Sequence, residues 1–245
     1  MDAGAKGLII VPAYNEEACL PATLAGLCEV RERFDVVVIN DGSTDRTGDI
    51  ARSAGCRVLD LCFNQGIGGA MQTGFRYALQ EGYPVAVQFD SDGQFPPDQI
   101  DALAGLVLED GWDMVIGSRY LQATGYEGGK ARRLGNLILS RLCTILSGHK
   151  ITDSTSGFRA YGRRALELLA RYYPPDYPEP EAIVFLARQG LRMREVPVIM
   201  RQRQAGSSSI GGFQPLYYMV KVSLALITNA LKEQPGLTGG RREGS

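Results

Sequence analysis

Five short apolar segments alternate with helix-like segments over the first 118 residues, and this alternation constrains the fold more than any other feature. The apolar segments are residues 7–13, 35–40, 57–61, 84–89 and 113–117. Continuous apolar runs of this length are typical of strands buried on both faces, and strands that alternate with helices form parallel sheets. We therefore predict an α/β fold with a doubly wound, mostly parallel sheet and helices on both faces.

The pattern is less regular after residue 118. Apolar side chains at helical spacing predict a helix over 134–146, and a Pro-containing apolar segment predicts an edge strand over 191–200. Residues 155–159 predict a turn. The apolar segment 213–231 contains Lys221 and is too polar for a membrane span, so we predict an amphipathic helix.

These patterns predict three parts in the chain. A folded domain covers residues 1–212, an amphipathic helix covers 213–234, and a disordered tail covers 235–245. The helix is a candidate surface for a membrane face or for a second copy of the chain.

The scarcity of histidine excludes several kinds of catalytic site. His149 is the only histidine of the 245 residues, which disfavours Ser-His-Asp catalysis and zinc sites that need several histidines. The cysteines are odd in number and form no CxxC pair, as expected for a protein of the reducing cytosol. The N-terminal segment lacks the pattern of a signal peptide, so we expect a cytoplasmic protein.

Charge is distributed unevenly along the chain. Residues 1–118 contain 18 Asp and Glu against 7 Lys and Arg, whereas residues 119–203 contain 15 Lys and Arg against 7 Asp and Glu. This asymmetry favours metal chelation in one half and anion contact in the other, although scattered surface charge is the alternative. No basic run is interleaved with aromatic residues, so we expect no nucleic-acid partner.

Polar residues follow the predicted strands where parallel sheets bind ligands. Asp90 and Asp92 come after the fourth strand, and Mg²⁺ is typically held by one or two carboxylates together with substrate phosphates. Asp41 follows the second strand and could accept a hydrogen bond from a ribose hydroxyl or a base N–H, or could cap a helix. Tyr14 could pack against a base, and Asn15 is expected to cap a helix that begins at Glu16.

Seven motifs occur in a fixed order along the chain: VPAYNEE, INDGSTDRT, NQGIGGA, DSDGQ, GSRY, TSGFR and a closing R-x-R…SSS. Together they resemble the family 2 glycosyltransferases of the GT-A fold, and in particular the polyprenyl-phosphate sugar transferases. The resemblance covers roughly residues 7–210. It implies an inverting, metal-dependent transfer of a sugar from a UDP- or GDP-sugar to polyprenyl phosphate at the inner face of a membrane.

The resemblance also implies roles for individual residues. Asp90 and Asp92 match the pair that binds Mg²⁺ or Mn²⁺, with Gln94 as a further ligand. Arg119 would approach the sugar or the acceptor phosphate, with Asp92 also placed among the catalytic residues. The nucleotide would be held by Pro12, Tyr14, Asn15, Glu16 and Asp41. An anionic acceptor would be held by Arg132 or Arg133. Arg201 and Arg203 would close a loop over the diphosphate.

Two departures from the family keep other functions open. Ser209 is followed by Ile210 where the family often has Lys, and the C-terminal membrane helices of many relatives are reduced here to one surface helix. The alternatives are therefore a hydroxyl acceptor on a glycan or small molecule, and a non-catalytic relative that binds nucleotide sugars.

A hydroxyl acceptor would need a carboxylate base, and the candidates are Asp153, Glu179 and Glu181. A nucleotidyltransferase would also use an Asp-x-Asp pair. It is expected to carry a basic, Gly-rich phosphate loop near the N-terminus, which VPAYNEE does not provide.

Overall fold

The described part of the chain forms one mixed sheet. A computed structural model describes residues 6–122, 130–174, 177–200 and 221–228. The strands are β1 (Gly7–Ala13), β2 (Phe34–Asn40), β3 (Arg57–Asp60), β4 (Val85–Gln88), β5 (Met114–Ser118), β6 (Arg159–Gly162) and β7 (Met193–Pro197). They lie in the order β3-β2-β1-β4-β6-β5-β7. β6 is antiparallel to β4 and β5, and the other paired strands are parallel.

Helices cover both faces of this sheet. They are α1 (Leu20–Leu27), α2 (Thr47–Ser53), α3 (Gly66–Gln80), α4 (Ile100–Leu108), α5 (Lys130–Ser147), α6 (Arg163–Leu169) and α7 (Pro178–Arg188). Short 3-10 turns occupy Cys28–Val30 and Pro97–Gln99, and residues 221–228 are also helical. The predicted fold class is confirmed.

The central strand β1 is buried along its whole length because both of its faces contribute to a core. Ile9 and Val11 pack into the core that contains α1, α2 and α4. Leu8 and Ile10 pack into the core that contains α3, α5, α6 and α7. Two-sided burial explains why the strand is a continuous apolar run. It also fixes the position at which β1 ends. The polar residues that follow β1 are therefore placed at the edge of the sheet.

The predicted start of the first helix was wrong. Asn15 does not cap a helix at Glu16, because α1 begins only at Leu20. Asn15 instead has a φ of 53°, and its side-chain oxygen accepts a hydrogen bond from the backbone N–H of Thr44 at 2.9 Å. Its amide therefore joins two loops at the sheet edge, a long-range contact that the local pattern does not reveal.

The region after residue 150 contains more regular structure than the sequence predicts. The TSGFR segment was interpreted as a turn, but Arg159 is the first residue of β6, and α6 follows this strand directly. β6 is only four residues long and contains a buried arginine, so it lacks the apolar pattern of a strand. The predicted helix over 134–146 and the edge strand within 191–200 are confirmed as α5 and β7.

Of the C-terminal region, the structure describes only residues 221–228, which are helical, and the predicted division of the chain into three parts stays a prediction. The rest of the predicted helix and the tail lie outside the described residues. Within the described ranges, no helix is both long enough and apolar enough to cross a membrane.

Candidate active site

An open cleft lies at the carboxyl ends of β1, β2 and β4. Its volume is about 390 Å³, and its walls are formed by Pro12, Ala13, Tyr14, Glu16, Asp41, Ile67, Ala70, Asp90, Ser91 and Asp92. Six predicted site residues are therefore brought together. The register of the sheet explains this, because Ala13 at the end of β1 is paired with Asn40 at the end of β2. The polar residues that follow these strands emerge at the same edge.

Asp41 forms one side of the cleft and is only 3% exposed. Its Oδ1 accepts a hydrogen bond from the backbone N–H of Gln65 at 2.7 Å, just before α3. The next residue, Gly42, has a φ of 67°, and a Cβ atom there would lie 2.6 Å from the carbonyl carbon of Phe63. Glycine thus lets the loop after β2 pack directly against the loop before α3, which places the carboxylate at the cleft wall.

The loop after β1 is tied to the loop after β2 through several hydrogen bonds. The backbone N–H of Asn15 donates to Ser43 Oγ at 3.0 Å, and that of Glu16 donates to Thr47 Oγ1 at 2.8 Å. Glu16 lies at the cleft, whereas Asn15 is not among the residues that line it. The described contacts of Asn15 fix the shape of the loop, and its predicted role in holding the nucleotide stays a prediction.

Two carboxylates meet at the end of β4. Burial and the neighbouring carboxylates of Asp92 and Glu179 raise the pKa of Asp90 to about 7, against the opposing charge of Arg119. The intervening residue Ser91 is anchored through its carbonyl, which accepts a hydrogen bond from Thr23 Oγ1 at 2.8 Å. The backbone is thus held where two acidic groups repel each other.

This pair has the chemistry of a divalent cation site. Mg²⁺ prefers carboxylate oxygens and usually takes only one or two from the protein, with substrate phosphates completing its shell. Among the described residues, no group of three or more His, Cys, Asp or Glu side chains could hold a metal ion alone. The carboxylates of Asp90 and Asp92 supply the one or two protein ligands that such a cation would need. Gln94 donates its backbone N–H to Asp92 Oδ1 at 3.1 Å and does not line the cleft.

Arg119 lies just after β5 and forms a two-pronged ion pair with a buried carboxylate. Its Nε donates to Asp153 Oδ2 at 2.7 Å, and its Nη2 donates to Asp153 Oδ1 at 2.8 Å. Nη2 also donates to Thr155 Oγ1 at 2.9 Å. Thr155 lies two residues before Gly157, where a Cβ atom would lie 2.7 Å from Asp90 Oδ2, so the segment that holds the Arg119 guanidinium passes the acidic end of the cleft. The positive charge of Arg119 opposes the rise in the pKa of Asp90.

The three carboxylates considered as candidate bases differ in their surroundings. Asp153 is fully buried and engaged with Arg119, so it is badly placed to take a proton from an acceptor. Glu181 is 6% exposed within α7. Glu179, in the first turn of α7, has a pKa raised by burial, and the charges of Arg159 and Arg119 oppose the shift. Of the three, Glu179 is the one whose charge acts on Asp90.

A buried arginine behind the cleft was missed by sequence reasoning. Arg159 is fully buried and donates to the backbone carbonyls of Ser156, Glu179 and Ser154 at 2.7, 2.8 and 2.9 Å. It therefore joins the TSGFR segment to the start of α7. Its presence in that motif was the available signal, but the backbone partners are set by the tertiary fold.

Four of the predicted arginines lie apart from the described cleft walls or cannot be placed. Arg133 is an exposed residue near the start of α5. Arg201 and Arg203 lie outside the described residues, and so does the side chain of Arg132. The predicted loop closure over the diphosphate therefore stays a prediction.

A mostly parallel sheet with an acidic cleft at its carboxyl edge is the architecture of the GT-A fold, and comparison with solved structures agrees. Glucosyl-3-phosphoglycerate synthase from Mycobacterium tuberculosis, solved with Mn²⁺, UDP and glucosyl-3-phosphoglycerate, superposes with a TM-score of 0.70 at 20% identity. The match covers 93% of this chain and 80% of that one.

The chain belongs to glycosyl transferase family 2, whose family model matches residues 8–169. It is 35% identical to undecaprenyl-phosphate mannosyltransferase from Micrococcus luteus, over 84% of this chain and 87% of the relative. It is 28% identical to UDP-N-acetylglucosamine–dolichyl-phosphate N-acetylglucosaminyltransferase from Methanococcus voltae, over 89% of this chain and 96% of that relative. The resemblance inferred from the seven motifs is confirmed.

Proposed function

We propose that this glycosyltransferase transfers a sugar from a UDP- or GDP-sugar to polyprenyl phosphate, with inversion at the anomeric carbon. The observation that carries the proposal is the acidic cleft at the strand ends, found in a chain whose relatives are named for polyprenyl-phosphate acceptors. We assign this activity to residues 1–212. The amphipathic segment 213–234 and the tail 235–245 stay predictions.

The donor nucleotide would bind along the ends of β1 and β2. Tyr14 is 46% exposed and lines the cleft, so its ring is available to pack on a base. The Asp41 carboxylate can accept from a ribose hydroxyl or a base N–H. Pro12 and Glu16 complete this wall.

The diphosphate would lie near Asp90 and Asp92, whose carboxylates would hold the divalent cation. Bound Mg²⁺ or Mn²⁺ would neutralise the charge that develops on the departing nucleoside diphosphate. Asp90 and Asp92 would orient this end of the donor, since the 390 Å³ cleft extends from them to Tyr14. Arg119 would add positive charge beside the reacting sugar.

A phosphate acceptor suits the groups around Arg119. A phosphate oxygen is already anionic at neutral pH, so it can attack the anomeric carbon while the bond to the nucleoside diphosphate breaks and the diphosphate leaves with the electron pair. No base is required for this step. A reaction that needs no base fits a site in which Asp153, one of the candidate bases, is buried in an ion pair. Arginine is also the side chain best matched to phosphate geometry.

A lipid acceptor would have to be reached from a membrane surface, and α5 supplies a candidate contact. Four of its apolar side chains fall on one exposed stripe: Leu134 is 56% exposed, Leu137 48%, Ile138 43% and Ile145 78%. The exposed Arg141 lies on the same helix. Apolar and basic residues on one helix are typical of helices that lie in the membrane interface. We therefore propose a peripheral position at the membrane.

Glu179 favours a second candidate function. Glu179 is a half-buried carboxylate with a raised pKa whose charge acts on Asp90, so it could serve as the general base for a hydroxyl acceptor. A phosphate acceptor and a hydroxyl acceptor make opposite predictions for Glu179→Gln. If the acceptor is polyprenyl phosphate, we expect Glu179→Gln to retain the rate to within a few-fold. If the acceptor is a hydroxyl and Glu179 is the base, the rate should fall about 100-fold or more, which is the typical contribution of base catalysis.

The donor is tested by thermal denaturation with UDP-, GDP-, dTDP- and CDP-sugars, each with Mg²⁺, Mn²⁺ or EDTA. A ligand at 100 times its Kd adds about 2.7 kcal/mol of stability. In a domain of this size that corresponds to a Tm increase of about 5–10 °C. We expect such a shift with one nucleotide and only with metal. The absence of any shift with all four nucleotide sugars would contradict a donor site in this cleft.

A further inference from the structure

Glu195 lies on the edge strand β7, and its carboxylate binds the backbone of the segment that follows α5. Oε1 accepts hydrogen bonds from the backbone N–H groups of Thr152 and Asp153, both at 2.9 Å. Oε2 accepts from the backbone N–H of Thr152 at 2.8 Å and from Thr152 Oγ1 at 2.8 Å. One side chain therefore fixes two consecutive peptide units and a hydroxyl.

The segment that Glu195 holds is the one that holds Arg119. Asp153 receives two guanidinium hydrogen bonds from Arg119 and also its backbone N–H at 3.0 Å. A second link passes through hydroxyls, because Thr152 Oγ1 lies 2.7 Å from Oγ of Ser118, the residue before Arg119. Glu195 is thus connected to both the side chain and the backbone of Arg119, without touching it.

The cost of this arrangement shows that packing alone does not explain it. Burial raises the pKa of Glu195, and the nearby charge of Asp153 adds to the shift, so keeping this carboxylate ionised opposes folding. Replacing such buried polar groups with apolar ones is often neutral or stabilising. We attribute to the hydrogen bonds of Glu195 a different role, which is to fix the position of Asp153. Because Asp153 binds the Arg119 guanidinium, any movement of Asp153 would also move the guanidinium.

We propose that Glu195 is a positioning residue for the transfer reaction, which sets the Arg119 guanidinium at the acidic end of the cleft through Thr152 and Asp153. The inference rests on the proposed role of Arg119 near the acceptor phosphate. Glu195 lies outside the residues that line the cleft, so its effect on the reaction is indirect. Its loss should change how Arg119 is held while the donor site stays intact.

The test compares Glu195→Gln with Asp113→Asn as a matched control. Asp113 is a buried carboxylate, whereas Glu195 is half-buried, and it too binds backbone beside β7, accepting from the N–H of Arg192 at 2.8 Å. It lies at the opposite end of β5 from Arg119. Glutamine keeps the size of Glu195 but replaces one acceptor oxygen with a donor, so it cannot make all four hydrogen bonds.

The first readout is kinetic. We expect Glu195→Gln to lower kcat/KM for the acceptor about tenfold or more, with the Kd for the donor unchanged, because a hydrogen bond to a charged group is lost. In an Arg119→Lys background the same change should have a much smaller effect, because both substitutions act on one guanidinium. Asp113→Asn should leave these constants unchanged. Equal effects of Glu195→Gln in both backgrounds, or none in either, would overturn the proposal.

The second readout does not require activity. In ¹H–¹⁵N spectra the Arg119 Nε–H signal is assigned by its loss in Arg119→Lys. We expect Glu195→Gln to speed its exchange with solvent at least about tenfold, while Asp113→Asn does not. An unchanged Arg119 signal overturns the positioning role even if transfer is active. Absent transfer with a changed signal instead counts against the proposed function alone.

Discussion

A Cβ atom on Gly157 would lie 2.7 Å from Oδ2 and 2.8 Å from Oδ1 of Asp90. The segment before β6 therefore passes directly over the carboxylate at the end of β4, and only glycine leaves room for it. This contact joins the antiparallel part of the sheet to the acidic cleft. The same contact contributes to the partial burial of the Asp90 carboxylate.

Gly157→Ala should displace the Asp90 carboxylate and weaken metal-dependent donor binding about tenfold, since overpacking typically costs about 1–3 kcal/mol. Isothermal titration with the donor and Mg²⁺ measures this. Gly105→Ala in α4 is the control, because a Cβ there meets nothing within 4 Å. If Gly157→Ala binds the donor as tightly as the unsubstituted protein, the Asp90 carboxylate can move without a loss of donor affinity, which would contradict this prediction.

Asp90→Asn should stabilise the metal-free protein at pH 8 and not at pH 4. The pKa of Asp90 is raised to about 7 in the folded protein from its ordinary value of 3.8. The unfolded chain therefore loses this proton first, and the stability cost grows as pH rises from about 4 to 7 and is complete above 7. We expect a Tm increase of at least about 2 °C at pH 8, measured with EDTA. A lower Tm for the variant at pH 8 would contradict this account.

Asp92→Asn and Asp41→Asn should affect donor binding in different ways, because the two residues are proposed to bind opposite ends of the donor. We expect Asp92→Asn to abolish the part of donor affinity that requires metal, because a cation ligand is lost. Asp41→Asn should weaken binding both with metal and with EDTA, since we propose that its carboxylate binds the nucleoside. Titrations with the free nucleoside diphosphate check the pattern. Equal metal dependence in the Asp92→Asn and unsubstituted proteins would remove the proposed cation site.

Membrane contact through α5 predicts that Leu137→Gln and Ile138→Gln together reduce binding to vesicles. Burial of an apolar side chain contributes about 1.5–3 kcal/mol, so losing two should lower the partition coefficient at least about tenfold. Flotation with phosphatidylglycerol vesicles measures this. The matched control is Leu108→Gln, which changes a side chain of α4 that is 37% exposed. Equal loss in both proteins would show that α5 is not the contact surface.

The sequence predicts the half of the site that depends on strand ends. Asp41, Asp90 and Asp92 follow apolar runs that can only be buried strands, so their common position at one sheet edge follows from parallel topology. Tyr14 is placed by the same reasoning. Local patterns suffice here because a strand and the residues after it are continuous in the chain.

The other half depends on contacts between distant parts of the chain. Arg119 and Asp153 are 34 positions apart, and nothing local shows that one neutralises the other. Arg159 lies in a strand too short and too polar to be identified from its pattern. Glu195 is on an edge strand that was predicted, but its bonds to Thr152 depend on how that strand packs. The partners of these charged residues therefore cannot be predicted from local sequence patterns.

The transfer of labelled sugar to polyprenyl phosphate tests the central proposal most directly. The protein is incubated with its labelled nucleotide sugar, Mg²⁺ or Mn²⁺, and either polyprenyl phosphate, polyprenol or 3-phosphoglycerate, and the label is followed into organic solvent. We predict labelled lipid only with polyprenyl phosphate, and its loss with EDTA and in Asp92→Asn. Donor binding without labelled lipid, or label appearing on 3-phosphoglycerate instead, would contradict the proposed acceptor.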